Sequence, residues 1–217
     1  MRPTVLAVVA VTLGASLLLG GCASEPSRFY LLSAMPHAEM ASPGTPGEKG
    51  LTIGVGPVTL PRYLDRPQIV TRIKPYELKV AEFDRWAEAL DINFSRVLAE
   101  NLSLLLPTAR VVLAPWPRGV PIDYQVSVDV MHFLSQVGGE SVLIADWVLF
   151  KGEGQQVLMS GKSRFSAATG GQDYAAIVAA MSQTVASLSR EIAAAIRGVG
   201  PRASARQGFS REPITPR

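Results

Sequence analysis

Few side chains in this chain could do chemistry, and their spacing limits what that chemistry could be. The only cysteine, Cys22, stands in the stretch LLLGGCAS, residues 17–24. A lone thiol cannot close an internal disulfide, so cysteine number says nothing about redox compartment and the surrounding residues must decide its use. The two histidines, His37 in an expected loop and His132 on an expected strand, are far apart and too few for a metal site. His132 reads as a partly buried strand residue. Gly54-Val55-Gly56 runs into Pro57 rather than into a helix, so it lacks the context of a phosphate loop, and no Gly-x-Ser-x-Gly nucleophile elbow occurs. Asp129 and Asp146 could approach Lys162 and Arg164 across neighbouring strands, an arrangement that ordinarily supports a solvated face. Neither catalysis nor a cofactor or metal is expected.

The residues around Cys22 give it a different use. Arg2 makes a short basic start, Val5 to Leu19 an apolar run, and Leu19-Gly20-Gly21 ends in small residues immediately before the cysteine. The pattern resembles a bacterial lipoprotein signal, in which a leucine and two small residues precede a cysteine that is acylated and becomes the new N-terminus. Small residues are required there because the peptidase must approach the backbone closely. The competing reading is an uncleaved transmembrane helix. Val5 to Gly21 is 17 residues, at the lower limit for spanning a bilayer, and its glycines and its match at all four signal positions weigh against that. Residues 1–21 are therefore expected to be a signal peptide and Cys22 the lipidation site, carrying palmitate-type acyl chains. Ala23 follows, and by resemblance to enterobacterial sorting the absence of aspartate there favours the outer membrane. Residues 22–27 form the anchored linker. The five residues after Cys22 reach no further than about 17 Å, so the folded body must sit close to the membrane face.

Stepping from Cys22 to the elements beyond it, Arg28 to Leu32 reads as a short strand, and 34–50, rich in proline and glycine without periodicity, as a mobile surface loop. Leu51, Ile53 and Val55 alternate in a strand expected to end at Pro57; Gln68–Lys74 and Tyr76–Phe83 pair around Pro75. From Glu88 the period changes. Leu90, Phe94, Val97, Leu98, Leu102 and Leu105 share one helical face, and Pro107 stops the helix. Arg110–Leu113 is a short strand. Strands 123–135, 141–151 and 156–168 follow, joined by glycine turns, with Tyr124, Val126, Val128 and Val130 on one face and Asp123, Gln125, Ser127 and Asp129 on the other. Asp173 can cap a last, alanine-rich helix that puts Tyr174, Ile177, Val178, Met181, Val185, Leu188, Ile192 and Ile196 on one stripe against the sheet.

The result is one α/β domain over residues 28–199, with a mixed, largely antiparallel sheet flanked by two main helices, and a disordered basic tail over 200–217. A hydrophobic content of 47% over 217 residues suffices for one such core. The net charge of +3 lies in Arg2 and the tail arginines, leaving residues 22–200 at about −1. A near-neutral body without a basic patch excludes nucleic acid as the partner.

What stands out is a density of arginine and aromatic residues in Pro61-Arg62-Tyr63-Leu64-Asp65-Arg66-Pro67 and in Glu82-Phe83-Asp84-Arg85-Trp86. These types are enriched at protein interfaces, so Arg62, Tyr63, Leu64, Asp65 and Arg66, with Arg85 and Trp86 nearby, form the candidate partner-binding surface. The two prolines should present the five intervening side chains outward on a stiff loop. A structural reading stands beside it and is compatible with it: Asp65 pairs with Arg66 or Arg72, and Trp86 staples the start of the helix.

The pieces YLDRPQIVTR and FDRWAEAL, with the helix from Arg96 to Leu102, resemble the ABC-type transport auxiliary lipoproteins, the PqiC-like family. The resemblance runs from about Phe29 to Val199. It implies a fold similar to the N-terminal domain of TolB, and a partner with MCE domains in an ABC lipid transport system that moves phospholipid between inner and outer membranes. It brings no catalytic residues. The implied role is an auxiliary or docking subunit held on the periplasmic face of the outer membrane by its lipid. The alternatives are a carrier that encloses a lipid chain in its own cavity, and a hydrolase. Substrate and oligomeric state, a homo-oligomer included, stay open.

Overall fold

A computed structural model describes residues 25–39, 50–107 and 109–199. Cys22, most of the 34–50 segment and the 200–217 tail lie outside the described residues. The strands are β1 (Arg28–Tyr30), β2 (Thr52–Thr59), β3 (Gln68–Lys74), β4 (Glu77–Trp86), β5 (Arg110–Leu113), β6 (Tyr124–Gln136), β7 (Glu140–Lys151) and β8 (Gln156–Ala168). The helices are α1 (Leu90–Leu105) and α2 (Tyr174–Val199), and single 3-10 turns form at His37–Glu39 and Arg62–Leu64.

All eight strands join one mixed sheet. The long pairings, β6 with β7 and β7 with β8, are antiparallel hairpins, as is β3 with β4. The shorter pairings of β1 with β4, and of β2 with β5 and β6, are parallel. The sheet forks at β6. β2 pairs with its first half, Tyr124 to Asp129, while β3 joins in parallel only at Ser135 and Gln136. Residues 60–67 are the excursion the chain makes between these two partners of β6.

Helix α1 packs on β2 and β5, α2 packs on β6, β7 and β8, and the helices pack on each other, so both cover one face of the sheet. The expected stripes build the core: Phe94, Leu98 and Leu102 of α1 and Ile177, Val185, Leu188 and Ile192 of α2 are fully buried. Between them and the sheet, the Phe94 and Phe133 rings meet edge to face with centroids 5.5 Å apart. On β7 the inner residues Leu143, Ala145, Trp147 and Leu149 are buried, while Ile144, Asp146, Val148 and Phe150 on the outer face are half-exposed. Asp173 caps α2 as expected, its carboxylate accepting from the Ala176 N–H at 2.7 Å.

Two expectations about loops and breaks need correction. Pro57 does not end β2, which continues to Thr59 through a register shift between Val55 and Val58. No ladder donor is needed at that irregularity, and the Gly56 carbonyl accepts instead from the Gln125 side-chain amide at 2.8 Å. Gly56 itself sits at φ 129°, where an added Cβ would lie 2.7 Å from that of Ala114. The start of the 34–50 segment is not a free loop either. Met35 is buried against Leu104 and Ala186, and its N–H is held by a side chain of α1.

Candidate docking cleft and the N-terminal clamp

The excursion of residues 60–67 is held by its own backbone. The Leu64 N–H donates to the Pro61 carbonyl at 2.9 Å, Asp65 to Arg62 at 3.1 Å and Arg66 to Leu64 at 2.8 Å, while the Trp86 N–H donates to the Pro67 carbonyl at 2.7 Å. The side chains do not all point outward as the two bracketing prolines suggested. Leu64 and Trp86 are 3% and 4% exposed and belong to the main core. Tyr63 is half-buried, and burial raises its pKa. Arg62, Asp65 and Arg66 are exposed, and Arg85 is half-buried with its Nε buried and without a hydrogen-bond partner. Among the described residues, no ion pair joins Asp65 to Arg66 or Arg72.

The inversion at Trp86 has a cause in the register. Between the pairs Val70↔Val80 and Gln68↔Arg85, β4 advances five residues while β3 advances two. That odd excess swaps the faces of β4, so Asp84 and Trp86 turn toward the helix-covered side. Trp86 thus takes the supporting place that the structural reading gives it, packed in the core just ahead of α1 and beneath the loop.

Over this support lies an open cleft of about 650 Å³, lined by Val58, Leu60, Leu64 and Trp86 below and by Arg62, Asp65, Arg66, Glu88 and Asp91 at its sides. Glu88 forms an ion pair with Arg96. The cleft has an apolar floor and a rim of both charge signs, and its lining residues do not pair a nucleophile with a base.

A second constellation ties the N-terminal segment down. Asp84, 4% exposed, accepts from Arg28 Nε at 2.9 Å, from Arg28 Nη2 at 3.2 Å and from the Tyr30 hydroxyl at 2.8 Å. Burial, and then the hydrogen bond to this carboxylate, raise the Tyr30 pKa. Beyond β1 the chain runs along the two helices. The Leu32 N–H donates to Asn93 Oδ1 at 2.7 Å, the Ser33 N–H to Ser182 Oγ at 3.0 Å and the Met35 N–H to Asn101 Oδ1 at 2.8 Å. Asn101 also donates to Ser189 Oγ at 3.1 Å, joining α1 to α2. Sequence reading missed this clamp. Its signal was the pair of asparagines, eight residues apart, set among the apolar positions of α1.

The charged face of the long strands is partly as expected. Lys162 lies 3.6 Å from Asp146, but Asp129 accepts from the Thr59 hydroxyl and Arg164 lies 3.7 Å from Glu140. His132 is a half-buried strand residue whose pKa is lowered, first by burial and then by Arg72 and Arg164. His37 is exposed.

Residues 30–193 match the family model for the ABC-type transport auxiliary lipoprotein component. The chain is 29% identical over 136 residues to the intermembrane transport lipoprotein PqiC of Escherichia coli strain K12, covering 62% of this chain and 70% of that protein, and equally to PqiC of Shigella flexneri. The fold is similar to that of protein XCC0632 from Xanthomonas campestris, at TM-score 0.61 and 19% identity over 82% of this chain and 99% of that one. A second crystal structure, of an uncharacterized protein, aligns at TM-score 0.64 and 24% identity over 79% of this chain and 99% of that one.

Proposed function

This chain belongs to the family of ABC-type transport auxiliary lipoprotein components, and from that premise we propose that it serves as the docking subunit of an ABC lipid transporter on the periplasmic face of the outer membrane. The anchor in this reading is lipid on Cys22. The partner is an MCE-domain protein of the transporter, met at the cleft between residues 60–67 and the start of α1. The observation that carries the reading is the construction of that cleft. Backbone hydrogen bonds and the buried Leu64 and Trp86 fix the loop, while Arg62, Asp65 and Arg66 stay free on its rim. A prefixed loop loses little conformational entropy on association.

The carrier alternative has less support. The space between helices and sheet is filled by Phe94, Phe133 and their neighbours. Two clefts, of about 720 and 650 Å³, lie open at the surface rather than enclosed.

The test is binding of the MCE-domain partner, co-purified from the same transporter, to charge-reversed Arg62→Glu and Arg66→Glu proteins. Each is expected to fold normally and to weaken association by about tenfold, with a loss that shrinks at high salt. Unchanged affinity for both would move the interface off this cleft. Cys22→Ser is expected to abolish incorporation of labelled fatty acid, and undiminished label would remove the anchor.

A further inference from the structure

The anchor reading leaves unstated which end of the domain meets the bilayer, and the topology supplies it. β1 runs parallel to β4 with Arg28 opposite Asp84, so β1, traced back from Tyr30 to Arg28, points toward the start of β4. The start of β4 is the tip of the β3–β4 hairpin. Cys22 precedes Arg28 by six residues, a reach of about 20 Å, and Tyr76 precedes Asp84 by eight, about 26 Å along the strand. The β6–β7 turn lies at the same end, because Arg72 of β3 pairs with Gln136 of β6.

That end is unusually apolar for a solvated one. Tyr76 at the hairpin tip is wholly exposed at 102%, and Ile73, Leu78, Val80 and Val137 are 41–45% exposed around it. Three cations stand among them, Arg72, Lys74 and Lys79, against one acid at the tip, Glu77, which lies 3.4 Å from Lys74. Of the other acids nearby, Glu25 pairs with Arg28, Glu140 pairs with Arg164 and Asp173 caps α2, leaving Glu82 further along β4. A ring with a polar tip, flanked by aliphatic side chains and long cationic stems, suits the headgroup boundary of a bilayer. The ring and the aliphatics enter the acyl edge while the cations stay with phosphate.

Resting on the anchor reading, we propose that the end of the sheet formed by the β3–β4 hairpin and the β6–β7 turn lies on the phospholipid surface that holds the lipid anchor, with Tyr76 as its deepest side chain. The anchor then holds the domain at the bilayer and the hairpin adds a second attachment that fixes its orientation.

The test replaces the natural anchor so that its result does not depend on acylation. The mature chain from residue 22, carrying Cys22→Ser and an N-terminal hexahistidine, is tethered to vesicles of phosphatidylethanolamine and phosphatidylglycerol doped with nickel-chelating lipid. Single cysteines at Tyr76→Cys, Val137→Cys and, in the β7–β8 turn at the opposite end, Glu153→Cys carry an environment-sensitive dye, and the vesicles contain a spin-labelled quencher lipid. The dyes at 76 and 137 are expected to be quenched at least twofold and the dye at 153 not at all. Equal, weak quenching at all three positions overturns the proposal, as does a dye at 76 already shielded before vesicles are added, which would indicate a second copy of the chain on this end. A Tyr76→Ser, Ile73→Ser, Leu78→Ser variant should bind untethered to the same vesicles at least fivefold more weakly than its parent, and equal binding overturns the proposal too. Failure of the native chain to take up fatty acid would remove the anchor reading alone.

Discussion

Truncating Trp86 to alanine separates a supporting residue from a contact residue. The side chain is 4% exposed and packs in the main core, with its backbone holding the Pro67 carbonyl. Removing it takes roughly 200 Å² of ring surface out of the interior, worth about 5 kcal/mol at ~25 cal/mol per Å². Core Trp→Ala truncations commonly cost about 3–5 kcal/mol, which is a large part of a total stability of ~5–15 kcal/mol. For a domain of this size each kcal/mol lowers the thermal midpoint by about 2–4 °C, so a fall of roughly 6–20 °C is expected by circular dichroism. The exposed Arg62→Ala and Arg66→Ala should change stability by no more than about 0.5 kcal/mol. Partner affinity is then measured well below the variant's midpoint, where Trp86→Ala is expected to bind within a few-fold of the parent. A midpoint within about 2 °C of the parent would refute the burial argument. A folded Trp86→Ala protein weakened in binding by about thirtyfold would show that the indole itself touches the partner.

Two further outcomes follow from the structure. Asn101→Leu removes the acceptor for the buried Met35 N–H and the bond to Ser189, so stability should fall by about 2–4 kcal/mol in urea titration, and the Met35 amide should exchange faster than amides of β7; equal protection would mean the clamp is unimportant. His132 has a folded pKa below its unfolded value of about 6.5, so as pH falls below that value the unfolded state takes up a proton that the folded state refuses. Stability should therefore drop through this window until the folded pKa is passed. His132→Asn should flatten that segment of a stability-against-pH curve, and an unaltered slope would count against the roles of burial, Arg72 and Arg164.

Much of the fold was legible because it follows from periodicity. The eight-residue stripe of α2, the glycine hairpins of β6 to β8 and the stop at Pro107 each rest on one local rule, and each element formed within a residue or two of its expected bounds. The candidate cleft was legible by position but not by side-chain direction. Alternation predicts faces only while register holds, and the uneven advance of β4 against β3 swaps them just before Asp84 and Trp86. Pro57 misled for a related reason, since a strand can carry proline where its ladder is already broken. Asn93 and Asn101 escaped because a polar residue in an apolar stripe states a need for a partner without saying which segment supplies it. Here the partner was the backbone of residues 32–35, more than sixty positions away.

The two proposed surfaces also constrain each other through one strand. β4 begins at Glu77, beside the tip proposed to lie on the bilayer, and ends at Trp86, beneath the cleft proposed for docking. Its ten residues span about 33 Å. A domain resting on Tyr76 would therefore hold the cleft about that far from the headgroups, pointing into the periplasm. The partner could then reach Arg62 and Arg66 without displacing lipid. Asp84 bonds Arg28 near the same end of β4 as the cleft, so a pull on the anchor would load the clamp beside the docking loop rather than the free hairpin. If the hairpin instead faced the periplasm, the linker of six residues would have to double back along β4, and the cleft would be pressed toward the membrane that the partner must approach. Orientation and docking are still decided separately: a dye at position 76 that stays in water would overturn the orientation, while the affinity of the Arg62→Glu and Arg66→Glu proteins would still decide the cleft.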